Sequence, residues 1–341
     1  MLFTTLPQEI LILIYSSTKN RKFIHDQLIL SPRTNELMKY YLENTFDHTL
    51  CANLNPSFFE NFKFIRLNNI IPLIQFKNII KLDISNCNIE EIPKLPDTIL
   101  FLNISHNKIN KLNNLSSKLV TLDCSHNNLT TLIGCPDSIL YEFNCSFNQL
   151  QTLEGSPQHI QHTFYCAYNQ LKSLKGCPPF IQYSFDCSRN QLITLTGCSQ
   201  NIQHTFICSD NKLITLNDSP LYIQHTFDCS YNKLTTLEGC PQHIQHTFYC
   251  NNNQLITLYK SPPFIKHSFY CFCNQLTTLD GSPQTIQHTF SCFGNQLTTL
   301  KGCPQHIKHT FNCSYNQLTS LEGCQYLQHS FDYSHNKFIK N

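Results

Sequence analysis

From residue 78 onward, apolar and polar positions recur with a period of 20 or 21 residues. Each unit opens on an alternation such as Phe227, Asp228, Cys229, in which the first and third side chains are apolar. That alternation predicts a short strand with one buried face. An asparagine stands three places after the Cys position, and two leucines follow it, as Asn232, Leu234 and Leu237 do. The asparagine column runs from Asn107 through Asn127, Asn148 and Asn169 to Asn316 and Asn336, and Cys87 extends it one step upstream. Thirteen units result, covering residues 78–341.

A period of this length marks a solenoid, in which no coil buries its own apolar face. Stacked coils bury one another's, with parallel strands about 4.8 Å apart, so thirteen of them make a sheet roughly 60 Å long. The asparagine amide carries both donors and an acceptor, enough to satisfy backbone groups stranded at a tight buried bend. Beyond the second leucine, Gly-(Cys/Ser)-Pro breaks the path and starts a turn or 3₁₀ segment. One apolar residue (Ile139, Ile160, Ile181, onward to Ile307) re-enters the core before the next strand. This return is too brief for full helices. The expected architecture is a parallel sheet on a concave face, with loops and 3₁₀ turns on the convex face.

The unit (Phe/Leu)-x-(Cys/Ile)-x-x-Asn-x-Leu-x-x-Leu resembles the leucine-rich repeat signature L-x-L-x-x-(N/C)-x-L, whose Asn site also admits Cys, as at Cys87. The wording is most similar to short repeats reading FxCSxNxLTSLEGxP, met in large DNA viruses of amoebae, phages and bacteria. This resemblance covers about three quarters of the chain. It implies a leucine-rich repeat solenoid of the α/β horseshoe class that acts as an interaction scaffold, not an enzyme. Bacterial effectors with such repeats and ligase activity carry a large catalytic domain after them. Here the units run to Asn341, so that activity is not implied.

The cysteines and histidines then need placing. Ten cysteines, from Cys124 to Cys313, form one column that takes Ile84 and Ile104 upstream and Tyr333 downstream. A site that admits Ile is a core site, where a free thiol packs as a small hydrophobe. Disulfides or metal are the rival reading. Strand spacing permits disulfides, but parallel in-register Cβ vectors in a reducing compartment disfavour them. In a second column, Cys135, Cys177, Cys198, Cys240, Cys303 and Cys324 interchange with Ser156, Ser219, Ser261 and Ser282. That interchange fits turn chemistry better than zinc ligation. A histidine ladder (His162, His204, His225, His246, His267, His288, His309 and His329) precedes the strands, with Tyr141 and Tyr183 in the remaining two places. It reads either as a polar edge position copied by duplication or as imidazoles that bind metal or repel one another in acid. Tyrosine in the ladder and the lack of a carboxylate partner favour the first reading.

Fixed letters build the core, and variable letters face solvent. Outward positions lie between Phe and Cys and just after Cys. The first column includes Tyr165, Asp186, Asp228, Tyr249 and Tyr270, while Phe272 and Phe293 directly follow their cysteines. Letters two places after Cys also vary, as at Phe147, Tyr168, Arg189, Asp210 and Tyr231. Tyr and Phe are common in protein interfaces. Tyr165, Asp186, Asp228, Tyr249, Tyr270, Phe272 and Phe293 are therefore the expected partner-binding residues, densest over the last four. Basic side chains are nearly missing from this face, which argues against nucleic acid.

The 341 residues carry 24 basic and 22 acidic side chains, a formal net charge of +2. Such a balance gives no strong field to steer nucleic acid or anionic membrane. Nineteen cysteines would suggest disulfides in a short secreted chain. The start, MLFTTLPQEILILIYSS, has no basic n-region, is interrupted by Glu9, and holds only a short apolar run from Ile10 to Ile14. That is too little for a signal peptide or a membrane span. A cytoplasmic location is expected (host cytoplasm for a viral chain), with no membrane partner, metal or cofactor.

Three segments are expected: a helical N-terminal cap or F-box-like segment over 1–60, a degenerate first coil or junction over 61–77, and the repeats over 78–341. Leu6, Pro7, Glu9, Ile10 and Ile14 resemble the start of an F-box, whose first helix begins Leu-Pro-x-Glu-Ile. That resemblance implies a substrate adapter that docks on a Skp1-type linker of a ubiquitin ligase while the repeats hold the target. The other reading is a cap alone, shielding the first coil. Two function classes follow: a scaffold binding an unidentified protein through the concave face, or an F-box/leucine-rich-repeat adapter.

Overall fold

The computed structural model describes residues 78–324 and 330–338, together with the backbone of a strand at Phe64–Arg66. Fourteen three-residue strands pair in parallel, in chain order, from Phe64–Arg66 to Ser330–Asp332. Neighbours pair one period apart: Thr226 with Thr247, Phe227 with Phe248, Asp228 with Tyr249. The register therefore sets like upon like, and each sequence column becomes a physical row.

The middle residue of each strand points inward. Nine phenylalanines, from Phe143 to Phe311, are fully buried there and stack with ring centroids 5.2 to 5.8 Å apart. Leu82, Leu102 and Leu122 hold the same place in the first coils. The cysteine column packs beside them, from Cys124 to Cys313, all fully buried. The described cysteines are free thiols. Burial pushes those of Cys124, Cys145 and Cys229 well above the usual range, which suppresses the thiolate that metal binding or disulfide exchange needs.

After the strand, the bend is held between coils as well as within one. Asn232 Oδ1 accepts the Leu213 N–H of the preceding coil at 2.9 Å, while its Nδ2 donates to the Cys208 and Cys229 carbonyls, each at 3.1 Å. The same clamp recurs from Asn107 to Asn336. It holds a strained neighbour. The residue just ahead of each asparagine is left-handed, with φ between 52° and 56° at the eleven non-glycine positions and 64° at Gly294. An L residue there costs roughly 1 kcal/mol, offset by the amide bonds beside it.

Past the second leucine, Gly239 has φ +81°, and an added Cβ would lie 2.4 Å from the Asn217 backbone nitrogen of the preceding coil. The next residue closes the turn: Cys240 N–H donates to the Leu237 carbonyl at 3.0 Å, and Ser219 N–H does the same to Leu216 at 3.1 Å. Ser219 and Ser282 hydroxyls add bonds of 2.7 Å to Leu216 and Leu279 carbonyls. The Cys/Ser interchange is thus turn chemistry.

The return side differs in detail from expectation. It carries loops, but no 3₁₀ helix occurs among the described residues. Two-residue strands such as Ser138–Ile139, His159–Ile160 and Phe180–Ile181 instead pair in parallel with their counterparts. The register that aligns the main strands also brings the isoleucine column within bonding distance. The Cys240 bond to Leu237 is the turn expected after the glycine, and beyond it the backbone groups bond between coils.

The clamp can be tested directly. Asn232→Ala strands the Leu213 N–H in the core, at about 1–3 kcal/mol, and takes one of two amide bonds from each of the Cys208 and Cys229 carbonyls, which keep those from Asn211 and Asn253, at about 1 kcal/mol per lost bond. Urea unfolding is expected to show a loss of about 3 kcal/mol, approaching that of Phe227→Ala. A loss below about 1 kcal/mol would mean that apolar stacking alone holds the coil together.

Candidate interaction surface

One row crosses the outward face of the main sheet. Register sets Asn144, Tyr165, Asp186, Ile207, Asp228, Tyr249, Tyr270, Ser291 and Asn312 side by side. All are half-buried except Ser291, which is buried. Tyr249 and Tyr270 stack at 4.8 Å, Tyr270 meets Phe272 edge-on at 6.4 Å, and Phe272 stacks on Phe293 at 4.6 Å. These four rings form one cluster. Tyr165 lies four coils from Tyr249 along the row, with Asp186, Ile207 and Asp228 between them.

Asp186 and Asp228 also have local duties. Their Oδ1 atoms accept the Ser188 and Ser230 N–H groups, each at 2.9 Å. Asn144 and Asn312 make the same bond in their own coils, at 3.0 and 2.9 Å. Burial pushes the Asp186 and Asp228 carboxyls up, and the serine bonds oppose that shift.

Outward alternation stops at the cysteine. Ser146, Ser188, Ser230 and Ser314, which follow their cysteines, are buried, where the sequence pattern predicts outward side chains. The chain has already begun to bend there, as the aspartate and asparagine bonds to the serine N–H groups show. Phe272, Phe293 and Ser209 are the exceptions and stay half-buried.

The left-handed column makes a second row, whose letters vary in the sequence but are not among the expected partner-binding residues. His106, His126, Phe147 and Tyr168 stack in succession at 4.0 Å. The Arg189 guanidinium then lies 4.7 Å from the Tyr168 ring centre and 3.5 Å from Asp210 Oδ2. The available signal was position: each of these residues immediately precedes a fixed asparagine.

The histidine ladder is a continuous stack of nine rings, from Tyr141 through His162 and Tyr183 to His309, with centroids 4.1 to 4.6 Å apart. His329 lies outside the described residues. Each described ladder histidine shares a hydrogen bond between Nδ1 and the next Thr or Ser hydroxyl, at 2.8 to 3.0 Å. Parallel rings aim their Nε2 atoms side by side, not at one point. Among the described residues, no group of three or more His, Cys, Asp and Glu is placed to hold a metal ion.

No family model matches this chain, and no curated protein does. Solved structures do. YopM, a leucine-rich effector protein from Yersinia pestis, matches over 79% of this chain and 81% of its own, at 22% identity and TM-score 0.57. The leucine-rich repeat domain of APL1B matches over 86% and 90%, at 17% identity and TM-score 0.59. The LRIM1/APL1C complex matches over 76% and 55%, at 19% identity and TM-score 0.56. The fold is a leucine-rich repeat solenoid. At these identities the likeness is one of fold. Within this solenoid, no helix among the described residues is long and apolar enough to cross a membrane. Leu6, Pro7, Glu9, Ile10 and Ile14 lie outside the described residues.

The ladder carries a pH dependence. Partial burial and neighbouring imidazoles lower the basicity of His204, His246 and His267 in the fold. An unfolded chain takes up those protons near pH 6.5. Below that value the unfolded state binds more protons, so stability falls as pH falls. The raised Glu142, Asp186 and Asp228 carboxyls act oppositely, but in the carboxylate range. Thermal melting is expected to drop between about pH 7.5 and pH 5.5, and His246→Tyr is expected to shrink that drop. An unchanged melting temperature over the interval would remove the effect.

Proposed function

We propose that this chain is a non-enzymatic interaction scaffold that binds a protein partner through the strand face, taken as the concave side of the horseshoe. Tyr249, Tyr270, Phe272 and Phe293 anchor the partner. Tyr165, Asp186 and Asp228 extend the contact along the same row. One observation carries this reading: four half-buried aromatic rings form one cluster on the face where the repeat wording varies most. Rigid aromatic anchors dominate binding energy at protein interfaces. Similar use of the fold supports it, since YopM is an effector protein and LRIM1/APL1C is a complex. A reducing cytoplasm, of a host cell for a viral chain, fits the many free thiols.

A second reading rests on Leu6, Pro7, Glu9, Ile10 and Ile14, which match the start of an F-box. In it the solenoid holds a substrate while residues 1–60 dock on a Skp1-type linker. The two readings share the strand face and differ in what the other end grips.

Affinity capture with the full chain tests the first reading. Changing Tyr249, Tyr270, Phe272 and Phe293 together to Ala is expected to cut retention of a specific partner at least about tenfold, with circular dichroism unchanged. Equal capture by both proteins would sink the strand-face reading. For the second, a purified Skp1-type protein should be retained by the wild type and lost with Leu6→Asp and Ile10→Asp. No retention by the wild type removes the adapter.

A further inference from the structure

The strand face is the acidic side of a nearly neutral chain. Across the strands and the bends up to each asparagine, seven carboxylates, from Asp83 to Asp332, stand against Arg66, Lys81 and Arg189. That balance of −4 contrasts with a formal net charge of +2 for the whole chain. The cations are therefore concentrated elsewhere. Arg189 is engaged by Asp210. Asp186 and Asp228 flank Ile207 in the central row, and neither has an ion pair among the described residues.

Two further features point the same way. Burial raises the Asp186 and Asp228 carboxyls, and the negative charge of Asp186 raises Asp228 further. Both are partly desolvated anions without a counter-charge, the environment that an incoming cation relieves. The adjoining cluster presents aromatic faces, which attract Lys and Arg. The row thus offers anions and apolar area without a free positive charge of its own.

We infer that the occupant of this face is a lysine- and arginine-rich protein segment, its basic side chains pairing with Asp186 and Asp228 and its apolar side chains packing on Tyr249, Tyr270, Phe272 and Phe293. This rests on the strand-face reading above and adds the chemistry of the partner. Nucleic acid is repelled by the same carboxylates.

The test uses the full chain and labelled synthetic peptides of one scaffold sequence. Their Leu and Tyr content is constant, and their net charge is stepped from negative to positive by exchanging Glu for Lys and Arg. Fluorescence anisotropy should show affinity rising with positive charge and falling with added salt. The double variant Asp186→Asn, Asp228→Asn should weaken the most basic peptide about tenfold and leave the neutral one unchanged. Asn retains the local serine bond, as Asn144 and Asn312 do, so folding is preserved. Tyr249→Ala with Tyr270→Ala should weaken every binding peptide. Binding that ignores charge, prefers acidic peptides, survives the aspartate changes, or is absent for all peptides overturns the basic partner. Charge-indifferent binding that still needs the tyrosines overturns only that chemistry, whereas binding that ignores the tyrosines overturns the strand-face reading itself.

Discussion

Everything in this solenoid depends on the asparagine clamp between successive coils. Each amide ties the bend of its own coil to the leucine N–H and the Cys-column carbonyl of the coil before it. A joint of that kind admits one register only. It fixes the period, holds the left-handed residue beside it, and makes every coil a template for the next. Apolar burial supplies most of the driving force, but burial is not directional. The clamp is what turns a stack of greasy loops into a ruled surface.

A ruled surface sets identical positions about 4.8 Å apart, which rewards some side chains and penalises others. Phenylalanine stacks on phenylalanine, tyrosine on tyrosine, imidazole on imidazole. Charged residues cannot repeat so freely. In the central row the aspartates are interrupted, with Ile207 between Asp186 and Asp228 and tyrosines beyond. The histidine ladder runs unbroken from His204 to His309 because imidazole is mostly neutral near pH 7. The pattern of the face thus reflects repulsion between neighbours as much as attraction to a partner.

Much of this was legible in the sequence because period and register coincide. The Phe227, Cys229, Asn232 and Leu234 columns could be read as core directly, and the rings at 249, 270, 272 and 293 as neighbours. Three features were not legible. The left-handed turn was hidden because its residues include Tyr231, Asp210 and Arg189, and only Gly294 carries the usual glycine signal. The buried serines were misplaced because strand alternation was extended one residue past Cys, where the bend has begun. The return-side bridges were missed because two residues such as His159–Ile160 are too short to show a period of two.

In-register pairing has a last consequence, for how such a chain changes over generations. Units as alike as residues 153–171 and 237–255 invite unequal exchange between their coding segments. A coil gained or lost in this way meets the same clamp on both sides. The reach of the binding face can then lengthen or shorten by whole steps, leaving every remaining joint as it was.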